Sequence, residues 1–179
     1  MAHLLTGLRL GLALPLAVAF ARPDFLDAGL VAVLLAVALA TDYADGIVAR
    51  RRGTASSAGQ LFDHATDCLF VTAGLTGAAL AGAVPLVLPV LVAVAFGQYV
   101  FDSYLVHRQK RLRMSTIGRW NGIGYFVPLV VIAAARLEAV PGLTPTLFLA
   151  ARLTAYALIA STVVSIADRA TAARGARER

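Results

Sequence analysis

Cysteine, histidine and acidic residues are all scarce in this chain of 179 residues, and each shortage closes off a class of protein. The single cysteine, Cys68, excludes an internal disulfide and any multi-cysteine metal site, which leaves it a small packing residue. The 3 histidines lie far apart and form no ligand cluster. Basic residues outnumber acidic ones, 16 to 10, for a net charge of +6. They gather between apolar runs without interleaved aromatics, so the charge does not describe a nucleic-acid surface, and no nucleic-acid partner is expected. Internal repeats and a second domain are missing as well. What the chain has in excess is apolar sequence: 59% of residues are hydrophobic and the mean hydropathy is +0.78. That is too much for a soluble domain and describes an all-α integral membrane protein.

Six apolar spans can be traced, at about 4–21, 27–50, 58–81, 85–107, 120–135 and 146–167, each near the length of about 20 residues that a bilayer requires. They predict one six-helix membrane domain over residues 1–168 and a charged tail over 169–179. The first span is interrupted by Arg9 and Pro15. It ends in Ala19, Phe20 and Ala21, which resembles a signal-peptidase site, but a basic leader is missing and Arg9 lies inside the apolar stretch, so cleavage is not expected. Breaks are expected at Arg22, Pro23 and Asp24, at 82–85, and at 141–145. Pro128 is expected to kink the fifth span. Gly74, Ala78 and Gly82 recur every four residues and are expected to allow close helix packing. Lysine and arginine mark the orientation. With six spans, residues 50–52, the basic run at 108–113, Arg119 and the C-terminal arginines share one side, leaving Arg22, Arg136 and Arg152 toward the other. Both termini are therefore expected in the cytoplasm.

Charge inside the spans is rarer and more telling. Asp42, Asp45, Asp63 and Asp67 fall in otherwise apolar sequence, where an ionisable side chain is costly unless it faces a protein-lined cavity. On a helix, Asp42, Asp45 and Ala49 share one face, and Gly59, Asp63 and Asp67 form a stripe at four-residue spacing. The segment between them, with Arg51, Arg52, Gly53 and the hydroxyls of Ser56 and Ser57, reads as a short hairpin connection with capping groups. Both stripes then reach roughly 12 Å into their helices, at about 1.5 Å per residue, and meet at similar depth. Two facing carboxylate stripes suit a hard divalent cation. His64 lies about 100° from the stripe and reads as packing or support for the ligands. Asp102 is open between pairing with a basic residue and lining a cavity mouth.

These residues fit D-x-x-D-G-x-x-A-R, eight residues, then G-x-x-x-D-x-x-x-D, with Asp42, Asp45, Gly46, Ala49, Arg50, Gly59, Asp63 and Asp67 at every fixed position. The chain resembles the CDP-alcohol phosphotransferases. Thr6 and Arg9 are similar to an N-terminal T-x-x-R element, and Ser115, Gly118 and Arg119 to a later S-x-x-G-basic element; His3 stands where many relatives have Asn. The resemblance implies a polar cavity opening to the cytoplasm, with two divalent cations, Mg²⁺ or Mn²⁺, held by Asp42, Asp45, Asp63 and Asp67. It implies that Asp67 also takes the proton of the acceptor hydroxyl, that Gly46, Ala49, Arg50 and Gly59 bind the cytidine diphosphate, and that Arg119 binds an acceptor phosphate. The partners it implies are CDP-diacylglycerol or another CDP-alcohol, a small hydroxyl acceptor such as glycerol phosphate or inositol phosphate, membrane lipid, and a second copy in a homodimer. Transfer of a soluble head group from a CDP-alcohol to a lipid hydroxyl is an alternative. Carboxylates in spans also occur in cation transporters, but the inverted repeats typical of those folds are missing here.

Overall fold

A computed structural model of the protein describes residues 2–52, 57–101 and 116–177, with residues 2–5, 44–52, 57–58, 60 and 171–177 described by their backbone alone. All regular structure among them is helical. Among the described residues there are seven α-helices: α1 (Ala2–Ala21), α2 (Ala28–Arg52), α3 (Ser57–Leu80), α4 (Val87–Phe101), α5 (Thr116–Gly124), α6 (Phe126–Arg136) and α7 (Thr144–Arg177). Helices α5 and α6 are two halves of one rod, so the bundle has six legs, as the apolar spans imply.

Local chemistry sets the helix ends. Arg22 precedes a proline, which disfavours helical backbone, and is extended at φ −127° and ψ 97°. A single 3₁₀ turn over Pro23–Phe25 follows, and Asp27 then caps α2, its Oδ1 accepting from the N–H groups of Gly29 at 2.8 Å and Leu30 at 3.3 Å. At the end of α3, Gly82 takes φ +74°, its N–H bonding to Ala79 O and the next N–H, of Ala83, reaching back to Ala78 O, both at 2.9 Å. This pair of bonds ties off the helix and needs a left-handed residue at Gly82.

Pro128 interrupts the fifth leg as expected: the break falls at Tyr125, because a proline ring collides with the carbonyl four residues earlier, that of Gly124, and Pro128 lies in the first turn of α6, where a proline is tolerated. The expected packing stripe changes. Gly82 serves the turn and faces open space, so it packs against nothing. The close approach is instead at Gly77, where a Cβ would land on the carbonyl oxygen of Ala17 and lie 3.1 Å from the Phe20 Cβ. Gly74 does pack, against Leu129, whose Cδ1 would be 2.9 Å from an added Cβ.

The buried core runs through Leu16 and Phe20 of α1, Val31 of α2, Leu75 of α3, Leu88 of α4 and Leu129 and Ile132 of α6. The outer face is also apolar: Leu149, Leu153, Tyr156, Val163 and Val164 of α7 are each at least half exposed. An apolar outer surface on an apolar rod matches lipid rather than water. Among the described residues, Thr116–Arg136 and Thr144–Ala170 are long and apolar enough to cross a bilayer, and Thr6–Ala21, Ala28–Tyr43 and Val87–Phe101 are shorter apolar helices. Two arginines at the end away from the carboxylates cap helix ends. Arg136 donates to the last carbonyls of α1, Ala19 O at 2.6 Å and Phe20 O at 2.7 Å, and Arg152 to Gly82 O at 2.7 Å.

Candidate functional site

Asp42 of α2 and Asp63 and Asp67 of α3 converge, each offering a carboxylate oxygen within 4.8 Å of the others. The four-residue step along α3 puts Asp63 and Asp67 one above the other, and α2 returns alongside at matching depth. Into the same place α1 sends Arg9, whose side chain is 1% exposed. Its Nη2 lies 2.7 Å from Asp42 Oδ1, and its Nη1 donates to Asp67 Oδ1 and lies 3.7 Å from Asp63 Oδ1. The carboxylates retain 25–36% exposure, so they stand between Arg9 and open space.

These residues fit a divalent cation. Carboxylate oxygens are the hard donors that Mg²⁺ and Mn²⁺ take, and Arg9 already stands among them as a cation. One guanidinium against three carboxylates leaves two formal negative charges uncompensated, the charge of one such ion. Asp45 follows one turn after Asp42 on α2. Its side chain, with those of Gly46, Ala49 and Arg50, lies outside the described residues, as do Asp102, Ser115 and the basic run at 108–113. Gly59 is half-buried in the first turn of α3.

A cavity of about 390 Å³ opens beside the cluster. Asp42, His64 and Asp67 line it together with Arg119 of α5, Gln98 and Tyr99 of α4, and Ser165 and Arg169 of α7. Leu39, Val71, Val92, Phe96, Ile123 and Phe126 make the rest of it apolar. Bonds between α4, α5 and α7 fix these elements about it: Gln98 Nε2 donates to Ile166 O at 3.1 Å, Tyr125 Oη and Thr162 Oγ1 are 2.7 Å apart, and Ser161 Oγ donates to Asn121 Oδ1 at 2.7 Å. The Arg169 guanidinium lies over the Tyr99 ring, 5.0 Å from its centroid. His64 meets the same ring edge-on at 6.4 Å and stays out of the carboxylate cluster.

The structure thus brings together Asp42, Asp63 and Asp67, and Arg119 lines the same cavity as two of them. Sequence reasoning missed Arg9 and Arg169 as members of the site. Arg9 carried a usable signal, since a charge inside an apolar span calls for a partner as much as an aspartate does. Arg169 reads as part of a charged tail, whereas α7 continues through it to Arg177.

A helical bundle with a lipid-compatible surface thus carries, beside a cavity, a carboxylate cluster that could hold a metal ion. The chain belongs to the CDP-alcohol phosphatidyltransferase family, whose model matches residues 1–167. Comparison with the curated proteins and with the solved structures finds no match. Membership makes the protein a phosphotransferase that takes a CDP-alcohol and a hydroxyl acceptor.

Proposed function

We propose that the protein transfers the phosphatidyl group of CDP-diacylglycerol to a small phosphorylated alcohol, glycerol phosphate or inositol phosphate, and releases CMP. The observation that carries this reading is one cavity lined both by the carboxylates of Asp42 and Asp67 and by Arg119 and Arg169. A hydroxyl that reacts beside the carboxylates can place its own phosphate on those two cations, each offering a planar fork of donors.

Asp42, Asp45, Asp63 and Asp67 hold the divalent cations, two in number, Mg²⁺ or Mn²⁺. When bound, these neutralise the diphosphate and make the acceptor hydroxyl more acidic. Asp67 takes the hydroxyl proton. The acceptor oxygen forms a bond to the phosphatidyl phosphorus, the bond from that phosphorus to the oxygen of CMP breaks, and CMP leaves with the electron pair. Gly46 and Gly59 let backbone approach the nucleotide, Ala49 keeps that surface thin, and Arg50 binds phosphate. The apolar part of the cavity accepts the lipid end and excludes water, which would otherwise compete as acceptor. The catalytic domain spans residues 1–168, works as a homodimer and opens to the cytoplasm.

The acceptor is tested by offering purified protein CDP-diacylglycerol with glycerol phosphate, inositol phosphate, and unphosphorylated glycerol, inositol and serine. Product with the phosphorylated pair alone is expected. Product only with uncharged alcohols would remove the role of Arg119 and Arg169, and product only from a soluble CDP-alcohol with a lipid hydroxyl would reverse the roles of donor and acceptor.

A further inference from the structure

Helix α1 contributes no carboxylate to the centre, yet it contributes the most deeply buried charge in it. The geometry points to Arg9 as a resident counter-ion that competes with the divalent cation for Asp42, Asp63 and Asp67 and holds those carboxylates in register when no metal is bound. This rests on reading the three as metal ligands.

Arg9 reaches two other helices at once, through Asp42 on α2 and through Asp63 and Asp67 on α3. Those carboxylates are its only ion-pair partners among the described residues; its Nε and Nη2 have no hydrogen-bond partner there, Nη2 meeting Asp42 as an ion pair alone. The guanidinium is therefore placed by this cluster rather than by a backbone site. Arg9 itself is 1% exposed, all three pairs run through Oδ1, and each carboxylate side chain still keeps 25–36% exposure. A second cation is thus not blocked by shape. Its competition with Arg9 is electrostatic, since two positive ions on one set of carboxylates repel each other strongly where water is scarce. Without Arg9 and without metal, three carboxylates face one another across a helix junction, which is unfavourable in a buried setting.

Two consequences have opposite signs, and that separates this role from simple packing. Removing the charge weakens the metal-free protein and strengthens metal binding. The experiment compares wild type, Arg9→Lys and Arg9→Gln in detergent, reading Mn²⁺ affinity by calorimetry and melting temperature in chelator and in saturating Mn²⁺. Arg9→Gln is expected to melt about 10 °C lower in chelator, to recover most of that loss in Mn²⁺, and to bind Mn²⁺ about tenfold tighter or more. Arg9→Lys, which keeps the charge, is expected to bind Mn²⁺ within about threefold of wild type. Unchanged or weaker Mn²⁺ binding by Arg9→Gln overturns the inference, and so does a melting loss that Mn²⁺ does not repair. Should wild type bind no Mn²⁺, the metal reading fails by itself. In that case, or if Arg9→Gln does not fold, the double variant Arg9→Gln/Asp42→Asn decides in chelator: a higher melting temperature or folded yield than Arg9→Gln alone supports the counter-ion role, and an equal or lower one overturns it.

Discussion

Asp67 touches Arg9 and lines the cavity, so in the proposed reaction this one carboxylate both holds the cation and meets the acceptor hydroxyl. Asp67→Asn preserves its shape but not its basicity. Turnover is expected to fall on the order of 10²–10⁴-fold with CDP-diacylglycerol binding largely kept, because the nucleotide is held mainly by other groups; full activity would remove Asp67 from proton transfer. Asp42→Ala and Asp63→Ala are expected to lose metal-dependent nucleotide binding as well as turnover, which calorimetry reports directly. For Arg119, alanine is expected to raise the acceptor KM about tenfold or more and that of CDP-diacylglycerol little, with Arg119→Lys in between. Equal movement of both KM values would make Arg119 part of a shared phosphate site. The carboxylates were legible in the sequence because spacing along one helix fixes which side chains share a face. Arg9 was not placed with them because its partner Asp67 lies 58 residues away, and nothing in the local pattern states which helix α1 packs against.

Between elements, the α1 and α3 contact is the tightest described, and it governs how Arg9 is aimed. A Cβ at position 77 would meet backbone, the Ala17 carbonyl, whereas at position 74 it would meet the far end of the Leu129 side chain, and at position 97 nothing within 4 Å. Gly77→Ala is therefore expected to cost about 1–3 kcal/mol, a melting loss of several degrees, because the helices must separate. Gly74→Ala should cost less, and Gly97→Ala should be neutral or slightly stabilising, since alanine favours helix over glycine. Melting curves of the three variants test the order, and an equal effect at 77 and 97 would contradict it. Small residues at a four-residue interval drew attention to α3, and Gly74 of that stripe packs, against Leu129 of α6, but spacing alone also selects Gly82, which the turn requires, and passes over Gly77. The difference lies in the neighbour, which only the packed structure supplies.

At the scale of the molecule, the six legs and most of their ends could be read from length, apolar runs and turn residues, because a bilayer imposes a nearly fixed span. A cavity was implied by the resemblance alone; its lining by α4, α5 and α7 could not be read, since those helices are tied by single polar contacts such as Gln98 with Ile166. The proposed orientation rests on the arginine and lysine distribution and is open to direct test. In a Cys68→Ala background, a cysteine replacing exposed Thr116 is expected to react with a membrane-impermeant reagent only from the cytoplasmic side, and one replacing exposed Glu138 only from the other. The reverse pattern would place the site away from cytoplasmic nucleotide. The central claim, a metal-dependent transfer on the Asp42, Asp63 and Asp67 cluster, is tested most directly by CMP release. Purified protein given Mn²⁺, CDP-diacylglycerol and the acceptor panel is predicted to release CMP in an acceptor-dependent way, with chelator or Asp67→Asn abolishing it. No CMP with any acceptor, or release undiminished by chelator and by Asp67→Asn, would contradict the account.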